Sequence, residues 1–305
     1  MSDVGAPRAA PIPIGDPAVP PFARLPDPLA LFARRSARFR ALAPGHALES
    51  YLVFLAELSA VQHGVQDGLA PVEMPEPDAL ALAREHGMPP LDRSGFTPDR
   101  AADITLERVL AGCGVCTMPA AAREALGKIG GADAATRAVM ARSVLADSIP
   151  VESLAEHVFV AAALQVHFAR LAARLDPARL VPVGDGACPA CGGPPVASLV
   201  VGWHGAHGAR FCACSLCGTL WNYVRVKCTV CGSTKGISYQ EIAGGPGTIK
   251  AECCDECRSY VKIFEQRDDP ALEAVADDVA SLGLDLLMRE TGLRRAAVDH
   301  FLLGY

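Results

Sequence analysis

Eight of the twelve cysteines stand in two quartets. The first is Cys188, Cys191, Cys214 and Cys217; the second is Cys228, Cys231, Cys254 and Cys257. Within each, 22 residues separate two CxxC pairs, and adding 40 to every number of the first quartet gives the second. Two residues between cysteines let one tight turn aim both sulfurs at a single ion. A second turn then completes a tetrahedron of four thiolates. That donor set suits Zn²⁺ and equally a single iron. Iron would make the site coloured and redox-active, and zinc would leave it inert. Structural thiols or disulfides would not call for two quartets in one register. Self-similarity at a fixed period means one supersecondary unit used twice.

Each unit reads as a rubredoxin-like or zinc-ribbon module. Glycine follows the second cysteine in three of the four turns (Gly192, Gly218, Gly232), where positive φ is often needed; Arg258 takes that place in the fourth. Between the turns, residues 196–201, 220–226, 237–242 and 260–264 are β-rich runs bounded by turn residues. In such ribbons the metal replaces a large apolar core.

The other candidate residues point to less. Cys113 and Cys116 form a further CxxC at the end of a helical pattern, with no second pair to complete a site. They read as a buried or incidental pair, with a redox dithiol as the sharper alternative. Cys212 reads as a spare buried thiol, and Cys253 loses to Cys254 as ligand because only Cys254 keeps the register. His204 and His207 are near the first quartet, but four sulfurs already fill a tetrahedron. Trp203 and Trp221 read as core or interface residues. No phosphate-binding loop, dinucleotide fingerprint or HExxH is present. A closed four-thiolate site leaves no position for substrate, so the chain is not read as an enzyme.

The elements that must position these groups divide the chain. Residues 1–25, rich in Pro and Ala, are expected to be a disordered tail. Residues 26–182 carry the apolar spacing of an all-helical domain, with the longest helix over 151–175. Residues 183–227 and 228–267 hold the two metal modules. Residues 268–305 form a C-terminal helical segment that starts at an Asp269-Pro270 cap and has an acidic, solvated face. The expected fold class is therefore α with small β: an all-α N-terminal domain, two tandem modules and a C-terminal helix.

The 305 residues are 50% hydrophobic and 20% charged, with net charge −6. Eight thiolates on two divalent ions would add about four negative charges, so the module is not a nucleic-acid patch. No run is apolar and long enough to span a bilayer, and no secretory leader is visible, so a cytoplasmic location without membrane insertion is expected. Arg34 and Arg35 sit inside a helical pattern with no apolar stretch after them and are not read as an export signal. Nothing in the sequence sets the oligomeric state, and a homo-oligomer is compatible with it.

Three stretches resemble the bacterial FdhE family of formate dehydrogenase accessory proteins. They are the doubled CPACG…CSLCG and CTVCG…CDEC pattern running into Arg258, the tail from Asp269 and Pro270 through Asp277 and Asp278 to Leu286, and the helical segment with Tyr51, Phe54 and Gln62. Cys113, Cys116 and the Pro-rich start are not features of that resemblance. It implies iron as the metal of the two sites. It also implies, as partner, the catalytic subunit of a membrane-bound formate dehydrogenase, bound as a chaperone would bind it during maturation in the cytoplasm, before twin-arginine export. The competing readings are a zinc-ribbon nucleic-acid-binding protein and a rubredoxin-like electron carrier.

Overall fold

The computed structural model describes residues 19–302. Seven helices come first: α1 (Pro28–Leu42), α2 (Glu49–Gly64), α3 (Pro77–Glu85), α4 (Arg100–Cys113), α5 (Ala120–Gly131), α6 (Ala134–Leu145) and α7 (Leu154–Ala172). Local chemistry sets several starts. Asp27 accepts from the Leu29 and Ala30 N–H groups with Pro28 in the first turn, Asp99 accepts from Ala102, and Asp133 from Thr136. The long helix expected over 151–175 begins with a 3₁₀ turn, Val151–Ser153, before α7 proper. Fifteen of the nineteen α7 residues are buried, so it is the axis against which α2, α4, α5 and α6 pack.

The strands form one sheet. They are β1 (Ala23–Arg24), β2 (Pro195–Val200), β3 (Arg210–Cys214), β4 (Leu220–Tyr223), β5 (Ile237–Gln240), β6 (Ile249–Cys254), β7 (Ser259–Glu265) and, in the C-terminal segment, β8 (Arg294–Arg295). Their order is β1-β4-β3-β2-β7-β6-β5, with β8 beside β7. Each cysteine unit supplies a three-stranded antiparallel meander, and the two are fused head to tail where β2 and β7 pair in parallel, Ser198 opposite Ile263. Residues 1–18 of the expected tail lie outside the described residues. Residues 23 and 24 are sheet: β1 pairs with β4, Ala23 opposite Trp221.

The expected single last helix is two, α8 (Ala276–Ala280) and α9 (Leu282–Glu290), which meet at Ser281. Glu273, not Asp269, accepts from the first free N–H groups, those of Val275 and Ala276. Ser281 Oγ donates back to the Asp277 carbonyl at the break. The acidic face is not solvated. Asp277, Asp278 and Asp285 are all within 2% of full burial. Arg38 of α1 grips Asp277 at 2.7 and 2.9 Å, Lys262 of β7 faces Asp278 and Asp285, and Arg295 of β8 joins both. Charges that look like a wet surface by helical spacing thus lock the tail to the sheet and to α1.

One further carboxyl enters this cluster. Asp299 is buried, and burial, followed by the Asp278 carboxylate, pushes its pKa well above the ordinary range. A folded-state pKa above the unfolded value means that the folded chain holds the extra proton. Stability is then lost as pH rises above about 4 toward the folded pKa. In Asp299→Asn that slope disappears, while the acceptor for the Phe301 N–H at 2.8 Å is kept. Urea denaturation at several pH values should show the variant gaining on the parent by up to about 1.4 kcal/mol per pH unit across that window. A constant difference would refute the assignment.

Candidate metal centres

The structure gathers both quartets as their spacing requires. In each, the four sulfurs lie within 4.8 Å of one another. Cys188 and Cys217 Sγ are 3.6 Å apart, and Cys191 and Cys214 are 3.4 Å apart. In the second cluster Cys228 to Cys257 is 3.6 Å and Cys231 to Cys254 is 3.7 Å. A tetrahedron with metal–sulfur bonds of about 2.3 Å has edges of about 3.8 Å, so both clusters fit one ion each. In the metal-free form burial, with the neighbouring thiols, pushes Cys188 far up, and burial pushes Cys228 up to about 12.

Backbone and hydroxyl groups finish each site, and the hydroxyls do so in register. The Leu216 and Cys217 N–H groups donate to Cys214 Sγ at 3.4 Å, and Val230 N–H donates to Cys228 Sγ at 3.4 Å. The Thr219 hydroxyl lies 3.2 Å from Cys217 Sγ, and its image 40 residues on, Ser259, lies 2.8 Å from Cys257 Sγ. A metal-bound thiolate would accept from each, which spreads its charge. These two hydroxyls obey the same 40-residue step as the cysteines, and that signal could have found them.

All four turns pass through positive φ after the second cysteine: 77° at Gly192, 73° at Gly218, 70° at Gly232 and 55° at Arg258. Arg258 therefore carries a conformation that costs an L-residue about 1–2 kcal/mol, partly offset by its 3.4 Å bond to the Thr291 carbonyl. Arg258→Gly should raise the stability of the metal-loaded protein by about 1 kcal/mol, read as a higher urea midpoint at unchanged slope. An unchanged or lower midpoint would mean that the Thr291 contact outweighs the strain.

The two centres differ in their surroundings. Every cysteine of the first is within 2% of full burial, inside the main apolar core. The segment after α3 grips its first turn: Leu91 N–H donates to the Ala190 carbonyl and Arg93 N–H to that of Cys191. Arg93 in turn donates to the carbonyls of Val144 and Leu145. From α7, Gln165 donates to the Ser215 carbonyl in the second turn while accepting from Gln62 and Arg35. In the second centre Cys231 is exposed and Cys257 half-buried.

Arg210 joins the two. It is fully buried on β3, bonds Ser198, and meets Glu252 of β6 at 2.8 Å. Its Nη1 also donates to the carbonyl of Lys227, the residue before the first ligand of the second centre, at 3.0 Å. No spacing signal marks Arg210 or Gln165, because their roles come from contacts made by chain folding.

Of the remaining candidates, Cys212 and Cys253 are buried in β3 and β6 outside both clusters, and His204 and His207 are exposed and join neither. Trp221 is core; Trp203 packs on Phe211 beneath the Arg24 guanidinium.

Three family models match the chain in succession: FdhE, N-terminal, over residues 20–185; FdhE, central domain, over 187–225; and FdhE, C-terminal domain, over 226–302. A protein FdhE homolog of Rhizobium meliloti is 50% identical over 287 residues, covering 93% of this chain and 94% of that one. One from Edwardsiella ictaluri is 34% identical over 285 residues, covering 91% and 90%. The crystal structure of the FdhE protein from Pseudomonas aeruginosa superposes with a TM-score of 0.83 at 34% identity, covering 93% of this chain and 99% of that one. With matched models along its whole described length and a relative half identical over nearly all of it, the chain belongs to the FdhE family.

Proposed function

We propose that this chain is an accessory protein for formate dehydrogenase. It binds the catalytic subunit in the cytoplasm during maturation, before twin-arginine export, and holds one metal ion in each cysteine quartet. The observation that carries this reading is the pair of four-sulfur clusters fused into one sheet in a chain of the FdhE family. Cys188, Cys191, Cys214 and Cys217 would hold one ion, and Cys228, Cys231, Cys254 and Cys257 the other. Iron is the favoured occupant from the family resemblance, with zinc the alternative. Bound iron would supply a one-electron couple. The residues themselves orient the sulfurs, donate hydrogen bonds to them and, around the first centre, exclude water.

The role is one of binding rather than catalysis. Four thiolates fill a tetrahedral ion and leave no coordination position for a substrate. The helical region and the C-terminal helices are assigned as the contact surface for the client, with the modules of residues 183–227 and 228–267 as the frame. Among the described residues no helix is long and apolar enough to cross a membrane.

Affinity capture of the tagged protein from its anaerobically grown native host, followed by mass spectrometry, tests the reading. Enrichment of a formate dehydrogenase catalytic subunit is the expected result. Nucleic acid or electron-transfer proteins retained in its place would overturn it.

A further inference from the structure

The CxxC pair outside both metal centres has a geometry of its own. Cys113 is the last residue of α4, and the Cys116 N–H donates to its carbonyl at 3.1 Å, closing a tight turn. Such a turn holds the first and fourth Cα atoms within about 7 Å, the range that a disulfide bridges. The Cys116 thiol lies against the carbonyl of Gly112, one turn back in α4, at 3.8 Å. Arg123 of α5 fixes the loop by donating to the carbonyls of Gly114 at 2.8 Å and Cys116 at 2.6 Å. Glu57 accepts from the next N–H, that of Thr117. Neither cysteine belongs to a group able to hold a metal among the described residues.

The two sulfurs are not equivalent. Cys113 is sealed, at 0% exposure. Cys116 is also buried, but Gly114, Val115 and Thr117 around it are exposed, Val115 at 93%, so a small movement of this turn uncovers it. The neighbouring Cys113 thiol lowers the Cys116 pKa, against burial and the Glu57 carboxylate and with a smaller pull from Arg123, whereas Cys116 and burial raise that of Cys113. The thiol beneath the exposed turn is the one an oxidant reaches first, and its sealed neighbour is placed to resolve the adduct, the polarity of an attacking and resolving pair.

We propose that Cys113 and Cys116 form a reversible dithiol–disulfide couple whose oxidant is a low-molecular-weight disulfide of the glutathione class. The Cys116 thiolate attacks one sulfur of the oxidant. The oxidant's S–S bond breaks, a mixed disulfide forms, and the departing thiolate takes up a proton. Cys113 then gives up its proton and attacks Cys116 Sγ, releasing the second small thiol. Two protein thiols are oxidised by two electrons, and one small disulfide is reduced to two thiols.

The test uses the full, metal-loaded chain in oxidised and reduced glutathione mixtures, quenched by alkylation and mapped by mass spectrometry. Residues 109–123, bounded by Arg108 and Arg123, form one tryptic peptide that contains both cysteines and no others. That peptide is expected to lose two hydrogens as the oxidised fraction rises and to regain them on reduction. Under brief native alkylation Cys116 should react at least about tenfold faster than Cys113. In Cys113→Ser a stable glutathione adduct on Cys116 should accumulate. Should that variant fail to fold, the wild-type peptide still decides. A peptide that stays fully alkylatable at every ratio, or a wild-type chain that stops at the Cys116 adduct, would overturn the proposal.

Discussion

A chelator added to the metal-loaded protein is expected to empty the second centre first, at least about a hundredfold faster than the first. The reason lies in the ligands' surroundings. Cys231 is exposed and Cys257 half-buried, so a competing ligand reaches the second ion by local opening. The first cluster lies inside the apolar core, with its turns held by the segment of residues 91–93 and by Gln165, so an ion there would be sealed from solvent. Its release waits on opening of that core, and about 2.7 kcal/mol of extra opening free energy already supplies the hundredfold. Substitution should divide the same way. Cys231→Ser should lose one metal and keep its helical circular dichroism and cooperative unfolding. Cys191→Ser should lose cooperative folding, because binding free energy at a structural site is folding free energy. Release in a single phase, or a folded Cys191→Ser protein with an intact second centre, would show the centres to be equivalent.

Breaking the Arg210–Glu252 pair should cost about 3–5 kcal/mol, the loss expected when one partner of a buried ion pair is removed. Arg210 has no exposed surface, and its hydrogen bonds reach Ser198 and the carbonyl before Cys228. Arg210→Met leaves the buried Glu252 without its cation and with only the Tyr239 hydroxyl donating to it at 3.1 Å, and burial already raises the Glu252 pKa with Arg210 present. Glu252 can escape only by taking a proton, so the destabilisation should be smaller near pH 5 than near pH 8. The double variant Arg210→Met, Glu252→Leu should recover most of the loss, as apolar replacements of whole buried pairs often do. Metal release from the second centre should quicken in the single variant. Urea denaturation across the double-mutant cycle measures all of this except the release. A cost below about 1 kcal/mol in Arg210→Met would mean that the pair does not hold the modules together.

Cysteine types, a two-residue gap and a 40-residue step mark the two four-sulfur clusters in the sequence, because each cluster is the same local pattern repeated. The helical region is legible for the related reason that α7 shows an apolar pattern wherever its chain is read. What escapes the sequence is contact between distant segments. Nothing in residues 195–200 and 259–265 separately says that they pair in parallel and make one sheet of two modules. Strands β3 and β6 hide because cysteines and charged residues (Arg210, Lys250, Glu252) break their pattern. The acidic residues of α8 and α9 read as solvated because their partners, Arg38, Lys262 and Arg295, come from three other elements. Arg258 shows the converse: its register position says glycine-like backbone, and the backbone complies at the cost of strain.

The most direct test of the central claim is a count of metal and free thiol on the protein purified without oxygen. Elemental analysis should give two metal ions per chain. Under native conditions the eight ligand cysteines should resist alkylation, and they should become reactive only as metal leaves, those of the second centre first. A folded, metal-free chain with all eight thiols open to alkylation would contradict it.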